Sequence, residues 1–399
     1  MRRQRLLVLN QYYWPGVEAT GNLLTELCEA LAADFDVTVI AGGAEGVPVR
    51  QVRNGVEILR VRSTSYDRSR LSRRALNYLT YVIGVGWRAM FRRRPDLVVC
   101  MTDPPFIGAL ARVVAVRFRA PLLVIAQDVF PEIAVKLGRL RNPLVIRVLG
   151  LLVNSSLRSA DRVVAIGDTM KRRLEEKGVP SDRIRVIPNW VDVETVWPAP
   201  RNNPWAREHR LAKRFVVMHS GNVGHAQDLD ALIRACMFLR DLDDLAVRII
   251  GGGARRDELI ELARLLEVDM VGFMPWQPHG LRSLSFSTAD VHVVGLARGL
   301  AGYVVPSRLY GILATGRPVI AAAEPESETA QLVREIGCGV VVPPGNPFAL
   351  ARAIRAAHDG EYDLAAMGAR AREFAMSEGD RPVAIRRYAE VLAELQGAA

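Results

Sequence analysis

Twelve short apolar runs, each bounded by turn residues, constrain the fold of this chain more than any other feature. Amphipathic helical stretches separate most of them, as in GNLLTELCEALAADF at 21–35. Short runs that are apolar throughout are typical of strands buried on both faces, and their alternation with helices predicts parallel α/β sheets. The runs fall at residues 6–10, 37–42, 56–61, 96–101, 121–127 and 161–167, and then at 214–221, 245–253, 268–273, 289–296, 317–322 and 339–344.

This strand–helix rhythm stops once, at residues 185–205. The sequence there, RVIPNWVDVETVWPAPRNNPW, is rich in Pro and Asn and has no apolar period. A chain of 399 residues is also too long for one hydrophobic core. We therefore predict two Rossmann-like halves joined near residue 200, with the interdomain connection in this stretch.

The cysteines and the N-terminus indicate the compartment. Four cysteines, Cys28, Cys100, Cys236 and Cys338, lie far apart in apolar surroundings and form no CxxC pair. This pattern favours reduced core residues of a cytosolic protein over disulfides or a zinc site. The first apolar run is only LLVL, which predicts a strand and not a signal peptide. No run reaches 18 apolar residues, so we expect no membrane-spanning helix.

The net charge of +10 is concentrated in one segment. Residues 50–94 contain 12 Lys and Arg against two acids, an excess equal to that of the whole chain. Within this segment, residues 75–95 form a mostly apolar predicted helix that carries four aromatic residues between basic flanks. Two interpretations stay open: a helix that lies on an anionic bilayer surface, or an ordinary helix packed on a sheet with Arg at its solvated ends. No nucleic-acid-binding motif accompanies the charge.

Four loops that follow predicted strands are candidates for ligand binding, because ligands of such sheets sit at the carboxyl ends of strands. They are Ala19-Thr20-Gly21-Asn22, residues 221–225 (GNVGH), residues 253–256 (GARR) and Pro306-Ser307-Arg308. None is a dinucleotide fingerprint or a P-loop. Each loop taken alone is also compatible with a simple turn. Several of them in one half of the chain favour a nucleotide ligand.

Eight stretches carry a resemblance to a known family. The chain resembles the GT-B-fold glycosyltransferases of family 4, and more narrowly the bacterial enzymes of capsule, O-antigen and colanic acid assembly. The resemblance runs nearly from end to end. Its carriers are NQYYWPGVEATGN, MTDPPFIGALA, AQDVFPEIAVKLG, VIPNWVDVE, SGNVGHAQDLDALI, RIIGGGARRDEL, VPSRLYGILATGRPVI and GCGVVVPPGNPFAL.

The resemblance implies a fold and a domain organisation. The fold would be α/β, a GT-B architecture of two Rossmann-like domains facing across a cleft. Residues 1–195 would form the acceptor-binding domain, and residues 205–378 would bind the nucleotide sugar. Residues 379–399 would form a C-terminal helix that packs back on the N-terminal domain.

The chain departs from the wider family at two places. A pair of Glu residues that would contact the donor sugar and ribose is replaced by Tyr303 and Gly311. An Arg and a Lys that would offset the diphosphate charge are replaced by Asn222 and Gln227. The narrower subgroup shares such changes, so they are read as a subgroup variant. A catalytically inactive scaffold of the same fold stays open as an alternative.

The donor site implied by the resemblance centres on Arg308. Breaking a sugar–phosphate bond builds negative charge on the leaving diphosphate, and a guanidinium can bind it in a bidentate manner. Arg308 could instead pair with a surface carboxylate. Glu328 is chosen for the ribose, although it could equally be a helix first-turn acid. The expected donor-binding residues are Gly221, Asn222, Gly253, Arg255, Phe273, Met274, Pro306, Ser307, Arg308, Leu309 and Glu328.

The acceptor side is assigned to loops of the first half. Asp128 lies where the family places a catalytic or acceptor-orienting group, and a carboxylate there can take the proton of a hydroxyl. Glu132 is a second candidate, although with Pro131 it could simply cap a helix. The family that the chain resembles needs no metal, so none is expected. The acceptor-side loop residues are Glu18, Thr20, Gly21, Asn22 and Asp103.

The resemblance therefore predicts a cytoplasmic enzyme on the inner face of the bacterial plasma membrane, which it contacts through residues 68–94. It would transfer a sugar, an N-acetylated hexosamine, from a UDP-sugar to a lipid-linked saccharide, with retention of the anomeric configuration. It would need no cofactor beyond the nucleotide-sugar co-substrate and would bind no nucleic acid. A UDP-sugar 2-epimerase of the same fold and an inactive scaffold subunit are the alternatives.

Overall fold

All twelve apolar runs contain strands of the structure, and the strands form two separate sheets. The computed structural model describes residues 3–16, 18–43, 46–61 and 71–397, without the side chains of 71–76. The chain divides into two units. The N-terminal unit comprises Met1–Pro188, Gly302–Val304 and Ile385–Ala399, and the C-terminal unit comprises Asn189–Ala301 and Val305–Ala384. The predicted α/β class with two Rossmann-like domains is confirmed.

The sheet of the N-terminal unit has eight strands in the order β3-β4-β2-β1-β5-β6-β7-β8. All neighbours are parallel except β3, which is antiparallel to β4. Two edge strands were not predicted, and one of them begins the stretch that was interpreted as pure interdomain connection. The strands are β1 (Gln4–Leu9), β2 (Phe35–Gly42), β3 (Arg50–Arg53), β4 (Val56–Val61), β5 (Leu97–Met101), β6 (Leu122–Ala126), β7 (Arg162–Ala165) and β8 (Ile184–Val186).

Helices of the N-terminal unit connect these strands. Three of them form one layer in which glycines permit close approach: Gly86 of α2 meets Leu110 of α3, and Gly108 of α3 meets Ser156 of α5. From Ile385 onward α15 belongs to this unit, where Tyr388 lines a small internal cavity. The helices are α1 (Ala19–Leu31), α2 (Leu71–Met90), α3 (Ile107–Phe118), α4 (Glu132–Lys136), α5 (Pro143–Ser159) and α6 (Asp168–Glu176), with α15 at Arg381–Gly397.

The predicted aromatic helix at 75–95 corresponds to α2. One face packs as an ordinary helix: Tyr81 is buried and its hydroxyl donates to the Ile40 carbonyl over 3.0 Å. The other face is apolar and exposed, with Leu79, Ile83 and Trp87 at helical spacing. Residues 68–70 of the predicted membrane segment lie outside the described residues. In the described parts of the chain, no helix combines the length and apolarity needed to cross a bilayer.

The sheet of the C-terminal unit is parallel throughout, in the order β11-β10-β9-β12-β13-β14. Its strands are β9 (Phe215–Ser220), β10 (Leu245–Ile250), β11 (Val271–Met274), β12 (Val291–Gly295), β13 (Val319–Ala322) and β14 (Gly339–Val342). Its helices are α7 (Pro204–Glu208), α8 (Leu229–Ala235), α9 (Arg256–Leu265), α10 (Arg282–Thr288), α11 (Arg308–Ala314), α12 (Glu328–Ile336), α13 (Pro347–His358) and α14 (Leu364–Ser377).

The sheet cores agree with the apolar pattern. Val217, Ile249 and Val293, on adjacent strands of the C-terminal unit, are almost completely buried in one cluster with residues of α8, α9 and α13. All four cysteines are buried and unpaired. The loops at the carboxyl ends of these strands are therefore the place to look for ligand-binding residues.

Candidate active site

The loops after β9 and β10 meet at the carboxyl edge of the C-terminal sheet. Gly221 has φ +153°, and a Cβ on Gly251 (φ +137°) would lie 1.9 Å from the Gly221 carbonyl oxygen. Only glycine fits such a contact in that conformation. A Cβ on Gly253 would likewise lie 2.3 Å from the Val223 oxygen. The glycines of both loops are therefore needed to bring the two backbones together.

Arg308 extends over this glycine edge. A Cβ on Gly221 would lie 2.9 Å from the Arg308 Cδ, and the Arg308 Nη2 donates to the Gly295 carbonyl over 3.0 Å. Its Nε is buried and has no hydrogen-bond partner. Burial lowers the pKa of Arg308 to about 10, which keeps the guanidinium charged at neutral pH. Among the described residues no carboxylate forms an ion pair with it, so the alternative pairing with a surface carboxylate does not occur there.

The residues around Arg308 hold it in place. Pro306 accepts a hydrogen bond from the Leu309 amide at 3.1 Å, and Leu309 is buried in the core. Ser307 is the N-cap of α11, but its side chain makes no capping bond. The helix begins at Arg308 itself and has only seven residues. Its dipole is therefore small, and the guanidinium supplies most of the positive potential at this point.

The loop after β9 is stabilised by side chains at the positions where the wider family has cations. Gln227 accepts from the Gly224 amide over 3.1 Å, and the exposed Asn222 accepts from the ring of His219 through its carbonyl. The Gly221 amide donates to Ile250 over 2.9 Å. The amide of Gly221 is therefore engaged within the sheet edge in this structure.

Arg255 is held by two carboxylates. Its Nη2 contacts the Asp230 Oδ1 at 2.8 Å, and its Nε contacts the Glu258 Oε2 at 3.0 Å. Hydrogen bonds with Glu258 and Asp230 raise the pKa of Arg255. Its charge is thus compensated inside the protein, in contrast to that of Arg308.

Phe273 and Met274 lie on β11, on the same edge of the sheet. Phe273 packs against the core of the unit. The Met274 carbonyl accepts from the Gly251 amide over 3.0 Å. This bond ties the strand that carries these two predicted donor-binding residues to the glycine turn after β10.

Glu328 is the first residue of α12, where Ser327 is the N-cap and accepts from the Ala330 amide over 3.2 Å. The carboxylate lies close enough to the buried Tyr310 to act with burial in raising the pKa of that phenol. Tyr310 belongs to α11, so Glu328 is near the helix that begins with Arg308.

The two positions that replace the family's Glu pair have structural roles. Gly311 faces Phe286, and a Cβ there would lie only 3.1 Å from the Phe286 ring. Tyr303 belongs to the N-terminal unit, where Lys136 and Arg173 each lie 4.9 Å from its ring centroid. A larger side chain at 311 would have to displace Phe286, which explains why glycine occupies the position.

Three acceptor-side loops converge at the carboxyl ends of adjacent strands β1, β5 and β6. Thr20, on α1, donates to the Asp103 Oδ2 over 3.2 Å, and the Gln11 amide donates to the Asp103 carbonyl over 3.0 Å. The Asn22 amide donates to the Glu18 carbonyl at 3.0 Å. Gly21 is buried against residues 12–13, where a Cβ would come within 3.3 Å of three backbone or side-chain atoms.

Asp128 lies two residues after the end of β6 and is only partly buried. The Thr102 hydroxyl accepts from the Gln127 amide at 3.2 Å and from the Asp128 amide at 3.4 Å. On the other side, Val304 forms an antiparallel bridge with Asp128, and the Val129 amide donates to Tyr303 over 2.9 Å. The backbone of Asp128 is therefore fixed from two sides.

Glu132 is engaged in an ion pair. It is the first residue of α4, and its Oε1 lies 2.6 Å from the Nζ of Lys177, which is itself buried. Its other oxygen is buried and has no partner. This pairing joins α4 to the end of α6 and gives Glu132 a structural role beside its predicted catalytic one.

Two positioning residues were not predicted. Thr102 and Tyr303 fix the loop that carries Asp128, and they are distant from it in sequence. The signal for Thr102 was its place immediately before Asp103 in TDPP, where a strand ends. Nothing in the sequence indicated that residues 302–304 belong to the N-terminal unit. No group of three or more His, Cys, Asp or Glu side chains suited to a metal ion is found within the described residues.

Two Rossmann-like sheets, each with polar loops at its carboxyl edge, are the architecture of the GT-B fold. The family model for a glycosyl transferase 4-like domain matches residues 19–190, and the model for glycosyl transferases group 1 matches residues 202–374. The chain belongs to the family of glycosyltransferases built from these two domains.

Several named relatives are similar over most of this chain. A Pseudomonas aeruginosa protein named as a probable glycosyltransferase, WbjE, is 25% identical and covers 96% of each chain. The Escherichia coli K12 protein WcaI, provisionally named as a colanic acid biosynthesis glycosyl transferase, is 27% identical over 71% of this chain and 72% of its own. The D-inositol 3-phosphate glycosyltransferase of Nocardiopsis dassonvillei is 30% identical over 78% of this chain and 74% of its own length. The protein is thus a glycosyltransferase related to enzymes of cell-surface polysaccharide biosynthesis.

Solved structures share its fold. The Anabaena protein HepE in complex with UDP-glucose superposes with a TM-score of 0.76, at 17% identity, over 98% of this chain and 100% of that one. Sucrose-phosphate synthase from Thermosynechococcus elongatus superposes with a TM-score of 0.79, also at 17% identity, over the whole of both chains. These likenesses confirm the GT-B fold.

Proposed function

We propose that this glycosyltransferase moves an N-acetylated hexosamine from a UDP-sugar to a saccharide carried on a polyprenyl diphosphate. One observation carries the donor half of the proposal: the Arg308 guanidinium at the carboxyl edge of its sheet has a buried Nε without a partner. A buried cation without a carboxylate partner lowers the stability of the folded protein unless a bound anion compensates its charge. A diphosphate is such an anion.

The choice of UDP is supported by structures of the same fold. Crystal structures of HepE contain UDP and UDP-glucose. In the present chain the C-terminal unit would bind the nucleotide sugar, within the predicted domain 205–378. Gly221, Asn222, Gly253, Phe273 and Met274 would line the nucleotide, and Glu328 would accept from the ribose hydroxyls. Arg255, already paired with carboxylates, would stabilise the loop.

The proposed reaction forms a bond between an acceptor hydroxyl oxygen and the anomeric carbon of the donor. The bond between that carbon and the β-phosphate oxygen breaks, and its electron pair leaves with UDP. Arg308 stabilises the charge that develops on the diphosphate. The product would retain the anomeric configuration of the donor.

The acceptor would bind to the N-terminal unit, within the predicted domain 1–195, and the helix at 379–399 would complete that domain. Asp128 would accept the proton of the attacking hydroxyl, because its backbone is fixed by Thr102 while its side chain is partly exposed. Asp103 and Thr20 would orient the saccharide. Glu132, paired with Lys177, would support Asp128 and not transfer a proton itself.

The enzyme would work on the cytoplasmic side, peripherally attached to the inner face of the plasma membrane through residues 68–94. The exposed Trp87 and Phe91 and the basic residues that follow them support this attachment. The relatives are named as glycosyltransferases, which favours transfer to an acceptor over 2-epimerisation of the UDP-sugar.

Thermal unfolding of the full chain with UDP, GDP, ADP and dTDP tests the donor site. A specific nucleotide at a hundred times its Kd should add about 2.7 kcal/mol to the free energy of unfolding, and we expect this for UDP. Arg308→Ala should abolish the shift. Arg308→Lys should recover only part of it, because an ammonium cannot make a bidentate phosphate contact.

Arg264→Ala is the matched control, because Arg264 lies on the same unit outside the candidate loops, its side chain is 70% exposed and pairs with Glu261 at 2.6 Å, and its loss should leave the UDP shift unchanged. Stabilisation by GDP alone would mean that the donor is a GDP-sugar and not a UDP-sugar. Stabilisation by UDP that persists in Arg308→Ala would contradict the role assigned to Arg308. No shift with any nucleotide would leave an inactive scaffold as the better description.

A further inference from the structure

We infer that the main membrane-docking element of this protein is the projecting first half of α5, acting with the outer faces of α2 and α3. The occupant is an anionic bilayer surface. This inference rests on the proposed function, in which the acceptor is lipid-linked, and it moves the principal contact away from residues 68–94. We call the three outer faces together the helix-layer surface.

The first half of α5 projects from the rest of the N-terminal unit. In the fully described stretch 143–152 no residue is buried, although seven of its ten residues are Leu, Ile or Val. Leu144 and Leu151 are 69% and 65% exposed, and Val148 lies between them at i+4. This spacing places the three side chains on one helix face. A monomer leaves so continuous an apolar stripe in water only where something covers it.

The neighbouring helices continue the stripe. Val113 and Val116 of α3 are exposed, and on the α2 side Trp87 and Phe91 are 71% and 72% exposed. Of the 23 large apolar residues that are exposed in the described part of the chain, 11 belong to this surface. They are Leu79, Ile83, Trp87, Phe91, Val113, Val116, Leu144, Val145, Val148, Leu151 and Leu152.

The positive charge of the three helical segments indicates that an anionic bilayer covers the helix-layer surface. Residues 71–95, 104–121 and 133–160, which contain the three helices, carry 14 Lys and Arg and not one Asp or Glu. A mixed chain with 43 acidic residues avoids them in all three segments. Apolar side chains between positive charges, without acids, are the composition of a surface that binds anionic lipid.

Cations near α5 lie beside its apolar stripe without a carboxylate partner. Among the described residues, no carboxylate pairs with Arg139, Arg141 or Arg147. Lipid phosphates would therefore find uncompensated cations beside Leu144 and Leu151. The main contact is assigned to α5 because seven apolar residues in 143–152 are unburied next to these cations.

A second copy of the chain fits the surface less well. A two-fold dimer would place this surface against itself, so that its positive charges would oppose one another across an apolar contact. Such like-charge contacts are repulsive when they are desolvated. A bilayer of anionic lipid has the opposite charge and an apolar interior, which matches both features.

The helix-layer surface is close in sequence to the proposed catalytic residue Asp128. α4 begins four residues after Asp128 and has no buried residue in the described structure, and α5 follows it after a short turn. The proposed catalytic loop is thus connected directly to the docking element. A saccharide that is attached to the membrane through its lipid would be presented next to Asp128.

Vesicle co-sedimentation of the full chain tests this inference. Wild type should bind vesicles that contain phosphatidylglycerol and bind pure phosphatidylcholine weakly. Leu144→Gln with Leu151→Gln should weaken binding to the anionic vesicles at least about tenfold, because two leucines lose their apolar burial while Gln preserves helix propensity. The matched control is Ile260→Gln with Leu265→Gln on α9, two exposed apolar residues of the C-terminal unit. The UDP-induced shift in unfolding should be unchanged in both double variants.

Three results would overturn the inference. If Trp87→Gln with Phe91→Gln abolishes binding while the α5 variant binds like wild type, attachment through residues 68–94 stands and the assignment to α5 is wrong. If wild type binds no anionic vesicle, both membrane assignments are wrong, although UDP binding would still support the donor site. If light scattering finds a wild-type dimer that the α5 variant converts to a monomer, the surface is a self-association interface.

Discussion

At the scale of single residues, the position of the Arg308 side chain depends on the absence of a side chain at Gly221. The Arg308 side chain passes so close to Gly221 that a Cβ there would lie 2.9 Å from its Cδ. The glycine therefore allows the guanidinium to reach the carboxyl edge of the sheet, where it donates to the Gly295 carbonyl and, within the described residues, pairs with no carboxylate. Position 308 could be predicted from the PSRL motif. Its contacts could not, because they come from loops 13 and 87 residues away.

Asp128→Asn should lower kcat about 10²- to 10⁴-fold, because the acceptor hydroxyl loses its general base while the loop keeps its shape. Its UDP-induced stabilisation should equal that of wild type, since Asp128 belongs to the unit that does not carry the donor residues. Steady-state transfer kinetics and thermal unfolding measure the two effects.

Asp182→Asn is the control for this variant, because it removes an exposed carboxylate from the same unit. A kcat within a few-fold of wild type in Asp128→Asn would contradict the assignment of the base. A large loss of stability would mean that Asp128 is structural.

At the scale of elements, the position of Glu328 at the start of α12 is compatible with two roles, and one variant distinguishes them. If Glu328 binds the ribose, Glu328→Gln should weaken UDP binding about tenfold, as for a lost charge-assisted hydrogen bond. If it only complements the helix dipole, the variant should lose about 0.3–1 kcal/mol of stability and keep its UDP affinity. We expect weaker binding, measured by calorimetric titration with UDP.

Glu335→Gln, at the other end of α12, is the matched control and should leave UDP affinity unchanged. Equal affinities of wild type and Glu328→Gln would remove Glu328 from the donor site and leave it as a first-turn acid.

The elements that sequence reasoning missed have a common physical cause. Twelve strands carry apolar runs and were predictable, and ten of them are interior strands with both faces covered. The edge strands β3 and β8 have only four and three residues, and β3 (RQVR) alternates between exposed and partly buried positions. Short polar strands at a sheet edge carry little apolar signal, so neighbouring strands and not the local sequence determine them.

At the scale of the whole molecule, the chain passes between the two units more than once. Residues 302–304 belong to the N-terminal unit although the residues on both sides of them belong to the other, and α15 changes unit at Ile385. A contact of this kind depends on tertiary structure and leaves no periodic signal. The replacement of a family Glu by Tyr303 could be read from sequence, whereas its role in holding the Val129 amide could not.

Buried histidines should make the stability of the C-terminal unit depend on pH. His292 is fully buried, its Nε2 bonds to the Phe286 carbonyl at 2.9 Å, and burial lowers its pKa to about 4. The folded state therefore stays neutral while the unfolded state binds a proton below about pH 6.5. Stability is full above pH 6.5 and falls as the pH drops toward 4, by up to about 3 kcal/mol from this group.

Urea unfolding at pH 7.5 and pH 5 measures this dependence. His292→Gln, which keeps a donor for Phe286, should reduce the difference between the two pH values. Burial also lowers the pKa of His219, so part of the difference should remain. His209→Gln is the control. The same pH dependence in wild type and His292→Gln would show that other groups cause it.

The central claim is that this chain transfers a sugar from a UDP donor to a lipid-linked acceptor. The most direct measurement is incubation of the purified protein with radiolabelled UDP-N-acetylglucosamine and a panel of farnesyl-diphosphate-linked monosaccharides, followed by organic extraction and product NMR. We expect labelled lipid only when both substrates are present, with the donor's anomeric configuration, and we expect it to be lost in Asp128→Asn and Arg308→Ala. Conversion of the UDP-sugar to its 2-epimer without any acceptor would instead identify the protein as an epimerase.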